Sequence, residues 1–173
     1  MASALSTFES SLDELGVSVT NTTAEAFGDR LDDVIVEAAV GVSLDRAFDE
    51  PDLSLDAAAV EVDPTPASLR AATTGVTGAS LGVADYGSLA LTLTDRASEL
   101  VSLFVERHVA VVRAADIVAD MDAAVEDLHE TFNDEGGSAI LATGPSATAD
   151  MGALVKGAHG PKDVHVIVVE EGP

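Results

Sequence analysis

The sequence predicts a single α/β domain with a mostly parallel sheet and one antiparallel hairpin. Three observations carry this. Short Val- and Ala-rich runs alternate with segments whose apolar residues recur every three or four positions. The last third reads strand, turn, helix, strand. Two apolar runs also flank a turn at Asp85–Ser88, the pattern of a hairpin. The chain has 173 residues and a formal net charge of −23, yet 47% of it is hydrophobic. Disorder requires few apolar residues as well as high charge, so a disordered chain is excluded and residues 1–173 form one domain with a real core.

The elements follow in order. Leu5, Phe8, Leu12 and Leu15 give Ser3–Glu14 the stripe of an amphipathic helix, ended by Gly16. Val17–Val19 is a short strand. Thr22-Thr23-Ala24-Glu25 offers a hydroxyl cap and an acidic residue for a helix running to Val34. Val36–Leu44 reads as a strand, 47–56 as a polar loop turning at Pro51, and 57–62 as a further strand. Pro64 and Pro66 lead into a helix with Leu69 and Arg70, which Gly75 and Gly78 are expected to break.

Ser80–Ala84 and Leu89–Thr94 pair as the hairpin. Glu99–Glu106 is a short helix and His108–Val112 a buried strand. Ile117, Met121, Ala124, Val125 and Leu128 place a helix over Asp116–Phe132. Ser138–Thr143 is a strand, Gly144-Pro145-Ser146 a turn, Ala149–Ala158 a helix closed by Gly160-Pro161, and Val164–Val169 the last strand.

Composition narrows the function. The 31 acidic residues are spread along the chain against 8 basic ones, and lysine occurs only at Lys156 and Lys162. Such a field repels phosphate backbones and anionic lipid, which argues against nucleic acid and membrane surfaces as partners. No apolar run approaches the roughly 18–20 residues of a spanning helix, and the N-terminus lacks the basic flank of a signal peptide, so the expected location is the cytoplasm. Without cysteine there is no disulfide, thiolate metal site or Fe–S cluster in this chain. Dispersed carboxylates over an Ala/Val interior, with five Phe, one Tyr and no Trp, read as a halophilic protein with an acidic surface. At molar salt the Debye length falls to about 3 Å and self-repulsion is screened.

Two segments could carry chemistry. Residues 142–150 lie between a strand and an expected helix, where free N–H groups would face the carboxyl edge of the sheet and hold an anion. Gly144, Pro145, Ser146, Thr148 and Asp150 are its ligand-binding candidates, although Ser and Thr at a helix start commonly only cap it. The Asp85–Ser88 turn adds Gly87 and Ser88, with Asp85 as a candidate acid or base; these are also ordinary turn formers. Of the four histidines, His129 is expected in solvent and His108 and His165 in the core. His159, between glycines at a helix end, is the one most like a site residue. No spacing suggests a metal.

Four segments in this order resemble the lactate-utilisation (LUD) domain family, and within it the small C-type subunits of L-lactate oxidation systems. They are Gly75–Leu91, Leu100–Leu103 with His108–Val112, Thr143–Asp150, and Gly157–Ile167. The resemblance covers about residues 70–173 and implies a fold like that of sugar-phosphate isomerases and CoA-transferases. It implies an accessory role in oxidising L-lactate to pyruvate beside an Fe–S subunit and an oxidoreductase subunit, with clusters held by the partner and a small anionic ligand held here. The alternatives are a free-standing small-molecule enzyme of the same superfamily, using Asp85, and a ligand-binding or regulatory domain with a vestigial site.

Three departures from the family pattern stand out. Ala84-Asp85-Tyr86-Gly87-Ser88 replaces Ala-Glu-Thr-Gly-Thr, Ala147 replaces an arginine, and Gly152 replaces an acidic residue. An arginine's charge-assisted bond to an anion is worth about 1.5–3 kcal/mol.

Overall fold

A computed structural model describes residues 3–44, 47–48, 53–56, 58–93, 98–150 and 152–172, the side chains of 98, 135 and 150 apart. Its frame is a six-stranded, wholly parallel sheet. The strands are β1 (Ser18–Thr23), β2 (Ala39–Gly41), β3 (Val60–Val62), β4 (Thr74–Gly78), β7 (Arg107–Arg113) and β12 (Asp163–Glu170), in the order β1-β12-β7-β4-β2-β3. A parallel sheet is covered on both faces, so its central strands are continuously apolar. β7 and β12 fit: Val109 to Val112 and Val164 to Val169 are buried, and their side chains alternate between two separate cores.

One core lies between this sheet, helix α1 (Ala4–Glu14) and a second sheet. α1 starts where the Ser3 hydroxyl accepts the Ser6 N–H at 3.1 Å and stops at Gly16, whose φ of 70° suits a residue without Cβ. Its predicted stripe is the buried face: Phe8 and Leu12 are fully enclosed, each worth roughly 1.5–3 kcal/mol of burial. The second sheet has the order β8-β5-β6-β9, with β5 (Leu81–Val83), β6 (Ser88–Thr92), β8 (Ile117–Val118) and β9 (Ala139–Thr143). β5 and β6 form the expected hairpin. Helix α5 (Met121–Glu135), capped by the Asp120 carboxylate at Ala123 N, covers its other face through Met121, Ala124 and Leu128.

Helix α2 (Phe27–Val34) covers the opposite face of the large sheet through Phe27, Leu31 and Val34. The expected polar loop at 47–56 contributes there too, since Phe48, Leu53 and Leu55 are buried; Pro51 lies outside the described residues. Helices α3 (Pro66–Ala71) and α4 (Ser98–Leu103) pack with Val40, Val42 and Val105 at the β2 end.

Several expectations are corrected. Thr22 and Thr23 do not cap α2; they end β1 opposite Val169 and Glu170, and α2 starts after Ala26 with no side-chain cap. Glu37, at φ 57°, interrupts the run 36–44 and leaves β2 only three residues long. The run 57–62 shortens to β3, Ala57 lying outside the described residues, as does Thr94 beyond β6. Gly75 and Gly78 break no helix but lie within β4, where a Cβ on Gly75 would overlap the Val101 carbonyl oxygen of α4. Ile117 belongs to β8 rather than to the following helix.

The largest correction concerns 149–158, which form no helix. β10 (Ala147–Asp150) and β11 (Ala153–Lys156) are an antiparallel pair, turned at Gly152 with φ 81°. Ala, Leu and Lys are good helix formers, but propensity is a weak prior that tertiary context readily overrides. The βαβ ending is therefore absent: β12 is reached from a hairpin, and it inserts between β1 and β7.

Candidate functional site

A cavity of about 750 Å³ opens between the two sheets, α1, α4 and the β10–β11 hairpin. It sits beside the amino-terminal ends of β7 and β12, at His108, Val164 and Val166, and not at the carboxyl edge the sequence suggested. With no helix beginning after Gly144, the expected dipole and free N–H cluster are not what shapes it.

Two glycines let its walls meet. Gly87 and Gly144 have φ of 61° and 63°, and both face the end of α1. A Cβ on Gly87 would lie 3.0 Å from Leu15 and 3.2 Å from the Leu12 nitrogen; on Gly144 it would lie 3.3 Å from Leu15. Between them the Ser88 and Thr143 hydroxyls are 2.7 Å apart, joining β6 to β9. The turn after β9 is held by Ser146 N–H donating to the Pro161 carbonyl and Gly157 N–H donating to that of Ser146, both at 2.9 Å. These bonds bring the 144–146 and 157–161 segments, far apart in sequence, to one wall.

Gly87, Gly144, Pro145, Ser146 and His159 thus all line the cavity. Ser88 is buried behind it, bonded to the lining residue Thr143. Thr148 does not line it, because strand alternation puts Ala147, Leu154 and Lys156 on the inner face of the hairpin and Thr148 with Val155 on the other. Asp150 ends β10, and its side chain lies outside the described residues. Asp85 is exposed at the β5–β6 turn and does not line the cavity.

The sequence reading placed His108 in the core and assigned it no role. It is buried, 3% exposed, yet it also forms part of the cavity lining. Its Nε2 lies 2.8 Å from the Thr77 hydroxyl on β4, and burial pushes its pKa down to about 4, so the ring is neutral near pH 7. The sequence held one signal for this: with period-two alternation His108 shares the face of Ala110 and Val112, which points towards α1. Ser102 and Lys156 complete the polar lining, with Glu14 at the end of α1.

The other face of the same strands carries a separate polar chain. Arg107 pairs with Asp163 and approaches His165, whose Nε2 is 2.9 Å from the Thr20 hydroxyl. Burial lowers the His165 pKa, the Arg107 charge lowers it further and Asp163 opposes both. Among the described residues no group of acidic and histidine side chains could hold a metal ion, and no helix is long and apolar enough to cross a membrane.

The family profile of the LUD domain matches residues 4–169. The chain belongs to the LUD domain family. A curated relative, Lactate utilization protein C of Deinococcus radiodurans, is 32% identical over 130 residues, covering 74% of this chain and 56% of that protein. This LUD domain therefore spans about half the length of that relative. A crystal structure of a DUF162 family protein, also from Deinococcus radiodurans, superposes with a TM-score of 0.70 over 96% of both chains at 23% identity, a likeness of fold. The match extends to the first 70 residues, which carried none of the sequence motifs; α1 and β1 are integral to the domain, and the end of α1 with Leu15 and Val17 builds one side of the cavity.

Proposed function

We propose that this LUD domain is an accessory, ligand-holding subunit in the oxidation of L-lactate to pyruvate. It acts in the cytoplasm beside an Fe–S subunit and an oxidoreductase subunit. The observation that carries the reading is the 32% identity to a protein named Lactate utilization protein C. The cavity supports it, since the motif residues Gly87, Gly144, Ser146 and His159 converge there although they come from separate segments. Redox clusters must reside in a partner, because the chain has no cysteine to hold one.

The free-standing enzyme reading required Asp85 to share a site with Ser146 and His159. Asp85 is exposed and outside the cavity those two residues line, which weighs against it. The regulatory reading gains from Ala147: it stands on the cavity wall where the family pattern has an arginine, and among the described residues the lysine or arginine lining that wall is Lys156, its partner across β10 and β11.

Two measurements test the proposal. Deleting the gene should abolish growth on L-lactate, with recovery on complementation. Affinity purification of the tagged chain from its host in molar KCl should recover an iron-containing subunit. Normal growth on L-lactate together with no iron-containing partner at any salt concentration would overturn the reading.

A further inference from the structure

The cavity has a chemistry that its motifs do not announce. Most of its wall is apolar, with Leu15 at the end of α1, Leu89 and Leu91 from β6, Leu103 from α4, and Ile140 and Leu141 from β9. Its volume of about 750 Å³ lies in the range of roughly 300–1,000 Å³ that takes a drug-sized ligand. Lactate would fill little of it: a three-carbon acid occupies on the order of three water volumes, about 100 Å³.

The polar groups are divided by depth. At the mouth is Lys156, exposed and forming no ion pair with the described residues, beside exposed His159. Glu14, on the α1 side, would repel an anion placed against it. At the floor is His108, whose Nε2 is occupied by Thr77 while no described residue bonds Nδ1. Nδ1 is not sealed off from the cavity, so it is available to bond a group placed there. Among the described residues no cation lines the floor, so a carboxylate would be costly to bury there, and the partner that fits is a neutral hydroxyl or carbonyl.

Resting on the reading that this cavity is the ligand site of the LUD domain, we propose that it takes an amphipathic organic anion larger than lactate. The carboxylate sits at Lys156, the apolar body runs inward between β6, β9 and α4, and a distal hydroxyl or carbonyl hydrogen-bonds Nδ1 of His108.

The test is calorimetric titration of the full chain with L-lactate, straight-chain carboxylates of three to twelve carbons, and their ω-hydroxy counterparts. Affinity should rise about fourfold for each methylene buried, from about 0.8 kcal/mol per CH₂, and exceed that for L-lactate by the middle of the series. At the matching length the ω-hydroxy acid should bind at least as tightly as the plain acid. His108→Leu should then weaken that hydroxy acid tenfold or more and leave the plain acid unchanged. Lys156→Gln, an exposed substitution that leaves the core intact, should weaken every carboxylate. Flat affinity along the series, tighter binding of L-lactate than of any longer acid, or indifference to both substitutions would overturn the inference. None of these results touches the co-purification and growth tests, so the subunit role and the ligand class can fail separately.

Discussion

The buried neutral histidine beneath the cavity makes the stability of this LUD domain depend on pH in a calculable way. The pKa of His108 falls from 6.5 to about 4 on folding because the ring is desolvated. A group lowered in this way is protonated by the unfolded chain first. Its effect on stability is therefore absent above about pH 7.5 and grows as pH falls from 6.5 towards 4. At 1.36 kcal/mol per pH unit, the destabilisation reaches about 2 kcal/mol at pH 5 and about 3 kcal/mol below pH 4. His165 shifts in the same direction, and protonation of carboxylates relieves repulsion; both occur whether or not His108 is present.

Comparison with His108→Gln isolates the effect, since the amide can still bond Thr77 but does not titrate. Urea is the denaturant of choice because it leaves the ionic strength fixed. Unfolding curves for both proteins in 2 M KCl, from pH 8 to pH 5, give the stability difference at each pH. The advantage of the parent chain should shrink by about 2 kcal/mol over that range, a relative midpoint shift of about 1 M urea for ordinary m-values. A difference that stays constant with pH would refute the assignment of His108 as a buried neutral ring.

Other substitutions probe the frame and the competing functional readings. The described Asp and Glu side chains are exposed or half-buried, with Glu99 Oε2 the one enclosed, unpartnered carboxylate oxygen among the described residues. On the proposal of a salt-adapted surface, thermal stability should rise steeply between 0.1 and 2 M KCl; a melting temperature independent of KCl removes the halophile reading. Gly75→Ala should lower stability by about 2–3 kcal/mol in chemical denaturation, because the new methyl meets the Val101 carbonyl of α4 and overpacking costs of that order. Asp85→Asn should leave both stability and carboxylate affinity within about 0.5 kcal/mol of the parent, as expected of an exposed residue away from a site; a large loss of affinity would restore Asp85 to a role at the cavity.

What was legible in the sequence follows from how strongly each segment is constrained. β7, β12 and the β5–β6 hairpin announced themselves because strands buried on both faces, or paired across a tight turn, tolerate few other patterns. α1 did so through the stripe from Leu5 to Leu15. The segment 147–156 misled because Ala, Leu and Lys are good helix formers, and Gly152 was the cue that outweighed them. The segments around Gly87, Gly144 and His159 come together at one cavity, but their place in the fold was not legible. Ser146 is tied to Pro161 and Gly157 by backbone bonds that depend on no side chain, so composition carried no trace of them. His108 stayed hidden for another reason: a histidine in an apolar run looks the same whether or not a cavity opens over one face of its strand.

The charge of −23 and the apolar cavity bear on one another. Arg30, Arg107, Arg113 and Lys162 are paired with Asp33, Asp163, Asp116 and Glu106. Arg70 closes α3, which leaves Lys156 among the described cations to meet an anion at the cavity. If the domain works at molar salt, attraction beyond about 3 Å is screened, and a single exposed lysine contributes no more than about 1 kcal/mol even in contact. Recognition must then come from a term that salt does not weaken. Burial of apolar surface is such a term, at about 25 cal/mol per Å², and eleven of the residues on the cavity wall are Leu, Ile or Val. On the proposed ligand role, the acidic composition and the apolar cavity answer to one constraint: a domain that gains little from charge at molar salt would hold its ligand chiefly by surface.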